Sequence, residues 1–133
     1  MTNNPASGLK RISQFESRLQ KRVYEPNTII FIKGHRGDEA FIVRSGEVQI
    51  FTENDEGRRT VLSTVQPGQL FGELALMNEN YRTANARTET GCELLVIGSR
   101  QIAALLDGAS PFLRFWIEYL SDRVIDLTRR VAS

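Results

Sequence analysis

The apolar residues between Val23 and Ile97 occur in short, β-branched runs that glycine, proline and asparagine separate from one another. Because β-branched side chains pack well on a pleated surface and strands are mostly short, these runs indicate β-strands. The predicted strands are Thr28–Ile32, Glu39–Arg44, Glu47–Thr52, Arg59–Val65, Ala86–Thr88 and Glu93–Ile97. Asn54–Gly57 has the composition of a hairpin turn, and Pro67–Gly68 turns the chain again. Short strands at this spacing predict an antiparallel sandwich or barrel.

Helical patterns flank this β-region at both ends. Leu9, Ile12, Phe15 and Leu19 recur at helical spacing after a small, polar stretch, residues 1–8, which is predicted to be a disordered tail. The basic residues of this helix form either a solvated face or a binding surface. Towards the C-terminus, Ser99 is a candidate cap for a helix over 100–106 that stops at Asp107–Gly108.

A longer C-terminal helix is predicted from Pro111 to about Arg130, with Ser110 as its N-cap and proline at its first position. The predicted fold is therefore mainly β with flanking helices, an antiparallel β-roll in one domain over residues 9–133. The roll occupies about 22–98 and the C-terminal helices about 99–131. A length of 133 residues suits one domain.

Composition excludes several classes of function. A net charge of +1 gives no global attraction to nucleic acid, and no stretch approaches the roughly 20 apolar residues that span a bilayer. Cys92 is the only cysteine, so an internal disulfide is impossible. The first eight residues lack an apolar signal region, which predicts a cytoplasmic protein. Neither a metal-ligand cluster nor a nucleophile with a nearby base can be named, which predicts that the chain is not an enzyme.

The segment Phe71–Asn85 carries the chemistry. Gly72 precedes a short helical turn, Glu73–Met77, where unpaired N–H groups and an absent Cβ favour an anion close to the backbone. Arg82 supplies a planar fork that suits phosphate oxygens, and Glu73 can accept from sugar hydroxyls. Together these groups are complementary to a phosphosugar. The alternative is a surface turn in which Glu73 and Arg82 pair with each other.

Two stretches resemble a known family. Phe71–Ala84 resembles the phosphate-binding cassette of the cyclic nucleotide-binding domain family, which includes catabolite activator proteins, regulatory subunits of cAMP-dependent kinase and gated ion channels. Gly34–Asp38, followed by Phe41–Val43 and Gly46–Val48, resembles the glycine-marked turn and strands of that family's β-roll. Several motifs in the right order are more specific than one short pattern.

The resemblance implies a role for each matching residue. Arg82 would hold the exocyclic phosphate oxygens with help from Thr83, and Glu73 would accept from the ribose 2′-hydroxyl. Backbone groups of Gly72, Leu74 and Ala75 would complete the cradle. The expected ligand site comprises Phe71, Gly72, Glu73, Leu74, Ala75, Arg82, Thr83 and Ala84, with Ile50 and Leu62 lining the base pocket. The ligand would be cAMP or cGMP, with no other cofactor and no metal, and the hydroxyl of Thr83 leaves both bases open.

The long C-terminal helix has two apolar surfaces. A heptad seam with 4-3-4-3-4 spacing is formed by Leu113, Ile117, Leu120, Val124, Leu127 and Val131, and an aromatic surface by Phe112, Phe115, Trp116 and Tyr119. Either both surfaces pack onto the β-roll, or the aromatic residues cap the nucleotide base and the seam pairs with a second copy in a homodimer.

The expected function is a cyclic nucleotide sensor. Leu76 would transmit movement of the cassette to the helical hinge, and the changed packing of the C-terminal helix would regulate an effector protein of unknown identity. The chain itself would contact neither nucleic acid nor membrane. Two alternatives are a nucleotide-independent protein-interaction module and the sensor half of a DNA-binding transcriptional regulator.

Overall fold

The computed structural model describes residues 5–77 and 80–132, and within them the chain forms two antiparallel sheets flanked by helices. The sheets are ordered β1-β8-β3-β6 and β2-β7-β4-β5. The strands are β1 (Gln20–Tyr24), β2 (Ile29–Phe31), β3 (Glu39–Ser45), β4 (Val48–Glu53), β5 (Arg59–Val65), β6 (Leu70–Phe71), β7 (Asn85–Thr88) and β8 (Cys92–Gly98). The helices are α1 (Pro5–Ile12), α2 (Ser99–Asp107) and α3 (Pro111–Ala132), with single 3₁₀ turns at Glu16–Arg18 and Glu73–Met77. The predicted β-roll with flanking helices is confirmed.

The core lies between the two sheets and continues beneath α1. Its main cluster consists of Phe41, Val43, Val48, Val65, Phe71, Ala86, Cys92, Leu94 and Val96. A second cluster joins Ile42 and Leu95 to Ile12 of α1. Successive side chains of a strand point to opposite faces, so β3 and β8 are buried on both faces, one against the other sheet and one beneath α1. Full burial of one valine, leucine, isoleucine or phenylalanine side chain stabilises the fold by about 1.5–3 kcal/mol.

The N-terminal helix differs from its prediction. It begins at Pro5, inside the predicted tail, and ends at Ile12 rather than near Leu19; residues 1–4 of that tail lie outside the described residues. A tertiary contact favours the early start, because Gly8 packs backbone to backbone on Gly68, where a Cβ on Gly8 would lie 2.6 Å from the carbonyl oxygen of Gly68. At the other end, the hydroxyl of Ser13 donates to the Lys10 carbonyl at 2.7 Å, a local bond that competes with helix continuation.

The first strand was not predicted. β1 carries charged residues that an apolar pattern does not reveal, and it pairs with β8 so that Arg22 lies opposite Leu94. Its basic side chains pair with acidic residues of neighbouring strands. Lys21 lies 3.7 Å from Glu93, and Arg22 donates hydrogen bonds to both carboxylate oxygens of Glu39 at 3.0 Å. The edge position of β1 explains how a polar segment can be a strand.

Of the two serines predicted to cap the C-terminal helices, one does so and the other does not. Ser110 caps α3 as predicted, since its Oγ accepts from the N–H of Leu113 at 3.2 Å. Ser99 does not cap α2, because the helix already includes it and Gly98 occupies the cap position, with its N–H donating to Oε1 of Gln101 at 2.8 Å. None of the helices within the described residues combines the length and apolar character that crossing a bilayer requires.

Candidate functional site

A cavity of about 340 Å³ opens between the β4–β5 hairpin, the Glu73–Met77 turn and one turn of α3. Its volume lies in the range of small-molecule sites, roughly 300–1,000 Å³. All ten predicted ligand residues line it: Ile50, Leu62, Phe71, Gly72, Glu73, Leu74, Ala75, Arg82, Thr83 and Ala84. The fold therefore brings the cassette and the two predicted base-pocket residues to one cavity.

Further described residues line the same cavity and were not predicted, namely Phe31, Ser63, Val65, Leu70, Val124 and Thr128. Ser63 follows Leu62, and strict alternation would send their side chains to opposite faces. However, the β4–β5 register shifts between Ile50 and Phe51, so that Ile50 lies opposite Ser63 and Phe51 opposite Val61. This bulge lets two consecutive residues of β5 reach the cavity, and no local sequence signal announces it.

The backbone at the start of the cassette has a left-handed conformation that glycine adopts easily. Gly72 has a φ of +80°, and a Cβ there would lie 3.0 Å from Nη1 of Arg82 and 3.2 Å from the Phe31 ring. The following turn is tied down where the N–H of Asn80 donates to the Ala75 carbonyl at 2.8 Å. Ala75 is fully buried. The first residues of the turn, Glu73, Leu74 and Ala75, line the cavity, and the first N–H groups of a helical turn have no partner within it.

Arg82 is a buried cation. The residue is only 6% exposed, and its Nη1 donates to the carbonyl oxygen of Gly72 at 2.9 Å. The guanidinium carbon lies 4.1 Å from the centre of the Phe31 ring, a cation–π distance. Among residues 5–77 and 80–132, no carboxylate lies within 4.0 Å of this guanidinium, and Nε has no hydrogen-bond partner. Burying a charge costs free energy unless the charge is paired, so an anion bound at this position would stabilise the guanidinium.

The pKa of Arg82 reflects both its burial and the acidic residues near it. Burial lowers the pKa of its guanidinium, while the negative charges of Glu39 and Asp38 act in the opposite direction. Glu39 is already engaged with Arg22, which holds the pKa of that carboxyl below its ordinary value. The guanidinium remains charged, because arginine does not lose its proton in proteins.

Glu73 is a carboxylate without a basic partner among the described residues. Burial raises its pKa, and the opposing influence is a hydrogen bond from its own backbone. No ion pair joins Glu73 to Arg82, so the alternative of a self-paired surface turn is wrong. Both residues instead line the cavity, where an acceptor and a cation are open to one ligand.

The wall formed by α3 differs from the sequence expectation. Val124 and Thr128 line the cavity, whereas the aromatic residues do not, with Phe112 70% and Trp116 50% exposed. The expectation that the aromatic residues cap the base is therefore wrong. The rotational setting of α3 explains the difference: the helix packs against β5 and the Glu73–Met77 turn, Ile125 is its buried residue, and Thr128 lies one turn further on the same side. The apolar seam, apart from Val131 whose side chain lies outside the described residues, remains largely exposed at Leu113, Leu120 and Leu127.

Comparison with known proteins gives consistent results. A family model described as "Cyclic nucleotide-binding domain" matches residues 21–108. The cyclic AMP receptor protein of Thermus thermophilus is 34% identical over 90 residues, 68% of this chain and 42% of that protein. The cAMP-activated global transcriptional regulator Vfr of Pseudomonas aeruginosa is 28% identical over 94% of this chain and 60% of its own length. The chain thus spans about half the length of these curated relatives.

Solved structures share the fold. The EAL enzyme Bd1971 in its cAMP-bound form superimposes with a TM-score of 0.76 at 26% identity, over 80% of this chain and 28% of that one. The cGMP-bound form of the same enzyme gives a TM-score of 0.75 over the same shares.

Proposed function

The chain belongs to the cyclic nucleotide-binding domain family, and we propose that it is a sensor that binds cAMP or cGMP in the cavity beneath α3. One observation carries the proposal. Arg82 is a buried cation that lines this cavity, and no carboxylate of the described residues pairs with it. A cyclic phosphate supplies the missing negative charge, and the cavity volume of about 340 Å³ suits one nucleotide.

The phosphate and the ribose are assigned to different groups of the cassette. Arg82 donates to the exocyclic phosphate oxygens, the hydroxyl of Thr83 assists, and the N–H groups of Leu74 and Ala75 complete the cradle behind Gly72. Glu73 accepts from the ribose 2′-hydroxyl. Its carboxylate must be ionised to do so well, although burial at the cavity wall favours the neutral form.

The base is assigned to the apolar end of the cavity. Ile50, Leu62 and Val124 offer apolar contact, and the hydroxyls of Ser63 and Thr128 are the polar groups beside them. The hydroxyl of Thr128 donates to the Val124 carbonyl at 2.9 Å, which leaves its oxygen able to accept. Both cAMP and cGMP are candidates, as the two ligand-bound forms of Bd1971 illustrate for that enzyme.

Ligand binding is proposed to reset the packing of α3. This helix contributes two residues to the cavity and also packs against the Glu73–Met77 turn, so ligand and helix share a contact surface. A ligand that favours one position of α3 shifts its population towards that position. Leu76 of the turn, which lies in a cleft with Ile102 and Leu106, links the cassette to α2. The output is regulation of an effector protein, and pairing of the exposed α3 seam with a second copy is one form it can take.

A second candidate is the sensor half of a transcriptional regulator. It is favoured because the chain covers 42–60% of two relatives, one of them named a transcriptional regulator. The site and its ligand are the same in both candidates, and only the output differs. A DNA-binding segment in the parent open reading frame would distinguish them.

Calorimetric titration of nucleotide-stripped protein with cAMP and cGMP tests the proposal. We expect micromolar or tighter binding of at least one nucleotide, with the ratio of the two dissociation constants defining base preference. Arg58→Ala, an exposed arginine of the β4–β5 hairpin, is the matched control and should bind like the wild type. A well-folded protein that binds neither nucleotide would refute the proposal and favour a nucleotide-independent interaction module.

A further inference from the structure

The guanidinium of Arg82 is held in a slot, which we define by three groups from separate parts of the chain. The Phe31 ring lies 4.1 Å from the guanidinium carbon, and the carbonyl of Gly72 accepts from Nη1 at 2.9 Å. The third group is the α-carbon of Gly37, in the loop between β2 and β3. A Cβ at Gly37 would lie 2.1 Å from Nε, 2.4 Å from Cζ and 2.4 Å from Nη2 of Arg82.

The loop of Gly37 is fastened to the segment that carries Arg82. The N–H of Gly34 donates to the Arg82 carbonyl at 2.9 Å, and the N–H of Arg82 donates to the His35 carbonyl at 2.9 Å. Further along the loop, the N–H of Gly37 donates to the Asn80 carbonyl at 2.8 Å. Because both backbones are fixed relative to each other, Gly37 cannot move away from the guanidinium without breaking these bonds.

We propose that Gly37 is a positioning residue of the phosphate site: its missing side chain is the space in which the Arg82 guanidinium lies, with Phe31 as another wall. This inference rests on the proposed function for its ligand. Gly37 does not have a φ in the left-handed region, unlike Gly34 and Gly72, so the backbone conformation alone does not require glycine there. The requirement comes from the volume of the guanidinium.

The size of the effect follows from the distances. Ordinary van der Waals contact of a Cβ begins at 3.4 Å, and the nearest guanidinium atom would be at 2.1 Å, so the guanidinium must shift by about 3.4 − 2.1 = 1.3 Å. Binding groups need placement within about 0.5 Å, so this shift removes useful contact with the phosphate. The obstacle is the end of a flexible side chain and not backbone, so Gly37→Ala still folds.

The test is a double-mutant cycle measured by calorimetry with cAMP on wild type, Gly37→Ala, Arg82→Lys and the double variant. We expect Gly37→Ala to weaken binding at least about tenfold, equivalent to about 1.4 kcal/mol. In the Arg82→Lys background, which lacks Nε, Cζ and Nη2 in that arrangement, the same substitution should change affinity less than about twofold. Gly91→Ala is the matched control, since its Cβ would meet only ordinary contacts at 3.9 and 4.0 Å.

An equal loss in both backgrounds would overturn the inference, because Gly37 would then act through the fold and not through Arg82. A second measurement needs no ligand. In chemical denaturation, Gly37→Ala should destabilise the Arg82 protein more than the Arg82→Ala protein, which has no guanidinium to displace. Equal destabilisation in these two backgrounds would also contradict the slot. If the wild type binds neither cyclic nucleotide, the proposed function fails while this unfolding cycle still decides the role of Gly37.

Discussion

Replacing Arg82 with methionine separates the stability of the fold from the function of the site. Methionine keeps an unbranched apolar stem of similar reach and removes the buried charge. Arg82 is 6% exposed in the wild type, and no carboxylate of the described residues lies within ion-pair distance of its guanidinium. If that charge awaits a ligand phosphate, its removal should abolish binding at little cost to the unliganded protein.

The stability change is a balance of opposing contributions. Burying a cation costs several kcal/mol even after relaxation. The hydrogen bond to the Gly72 carbonyl returns about 1.5–3 kcal/mol, and the Phe31 ring about 0.5–2 kcal/mol. We therefore expect the free energy of unfolding of Arg82→Met to lie within about 1 kcal/mol of the wild-type value.

The affinity change has no such compensation. Arg82 is assigned two hydrogen bonds to phosphate oxygens, each contributing roughly 1.5–3 kcal/mol, so binding should weaken by at least about 100-fold. Denaturant unfolding and calorimetric titration of the same preparations measure both quantities. Arg22→Met is the control, since it breaks the half-buried pair with Glu39. It should lose about 0.5–1 kcal/mol of stability and change affinity less than twofold.

Two results would refute this reasoning. A loss of more than about 3 kcal/mol on Arg82→Met would show that the charge is already compensated within the protein, as when one partner of a buried ion pair is removed. Wild-type affinity in Arg82→Met would show that the phosphate binds elsewhere. Either result would withdraw the assignment of Arg82 as the anion site.

Three further predictions concern the acid, the caps and the helix. Burial raises the pKa of Glu73 above its ordinary 4.5, so the folded protein binds more protons than the unfolded chain, and stability falls as the pH rises through this window. Glu73→Gln should thus stabilise the unliganded protein at pH 7, and less so towards pH 4.5. The same substitution should weaken nucleotide binding about tenfold. A free energy of unfolding with the same pH dependence as the wild type would contradict this. Ser110→Ala should cost about 1 kcal/mol in thermal unfolding, whereas Ser99→Ala, at a residue that caps nothing, should stay within about 0.5 kcal/mol. Bound cAMP should slow amide hydrogen exchange over 121–128, where α3 meets the cavity, and no slowing there would remove the switch while leaving binding intact.

Much of the site comes from residues that lie close together in the sequence. Gly72, Glu73 and Arg82 lie within eleven consecutive residues, so a contiguous motif identifies them, and its resemblance to the family's cassette implies their roles. Ile50 and Leu62, which the resemblance assigns to the base pocket, line the same cavity. By contrast, Ser63 enters the cavity only because the β4–β5 register shifts, and a register shift depends on cross-strand pairing and not on the local pattern.

The two ends of the chain show where patterns are ambiguous. Apolar spacing predicted a helix near residues 9–19, but α1 begins at Pro5, where the contact of Gly8 with Gly68 favours an early start, and ends at Ile12, just before Ser13, whose hydroxyl donates to the Lys10 carbonyl. α3 has apolar residues around more than half of its circumference, so periodicity alone cannot select the side that meets the roll. The buried position of Ile125 selects it, and this setting places Val124 and Thr128 at the cavity instead of the aromatic residues.

The sequence by itself determined the β-roll, the cassette and the order of the apolar strands and turns, since each depends on residues adjacent in the chain, whereas the polar strand β1 was not predicted. The tertiary structure alone decided what surrounds Arg82. Phe31 and Gly37 are more than 40 residues away from it along the chain, yet one stacks on its guanidinium and the other leaves the space that the guanidinium fills. Local patterns encode which faces are apolar, whereas contacts between distant segments depend on how whole sheets and loops pack against one another.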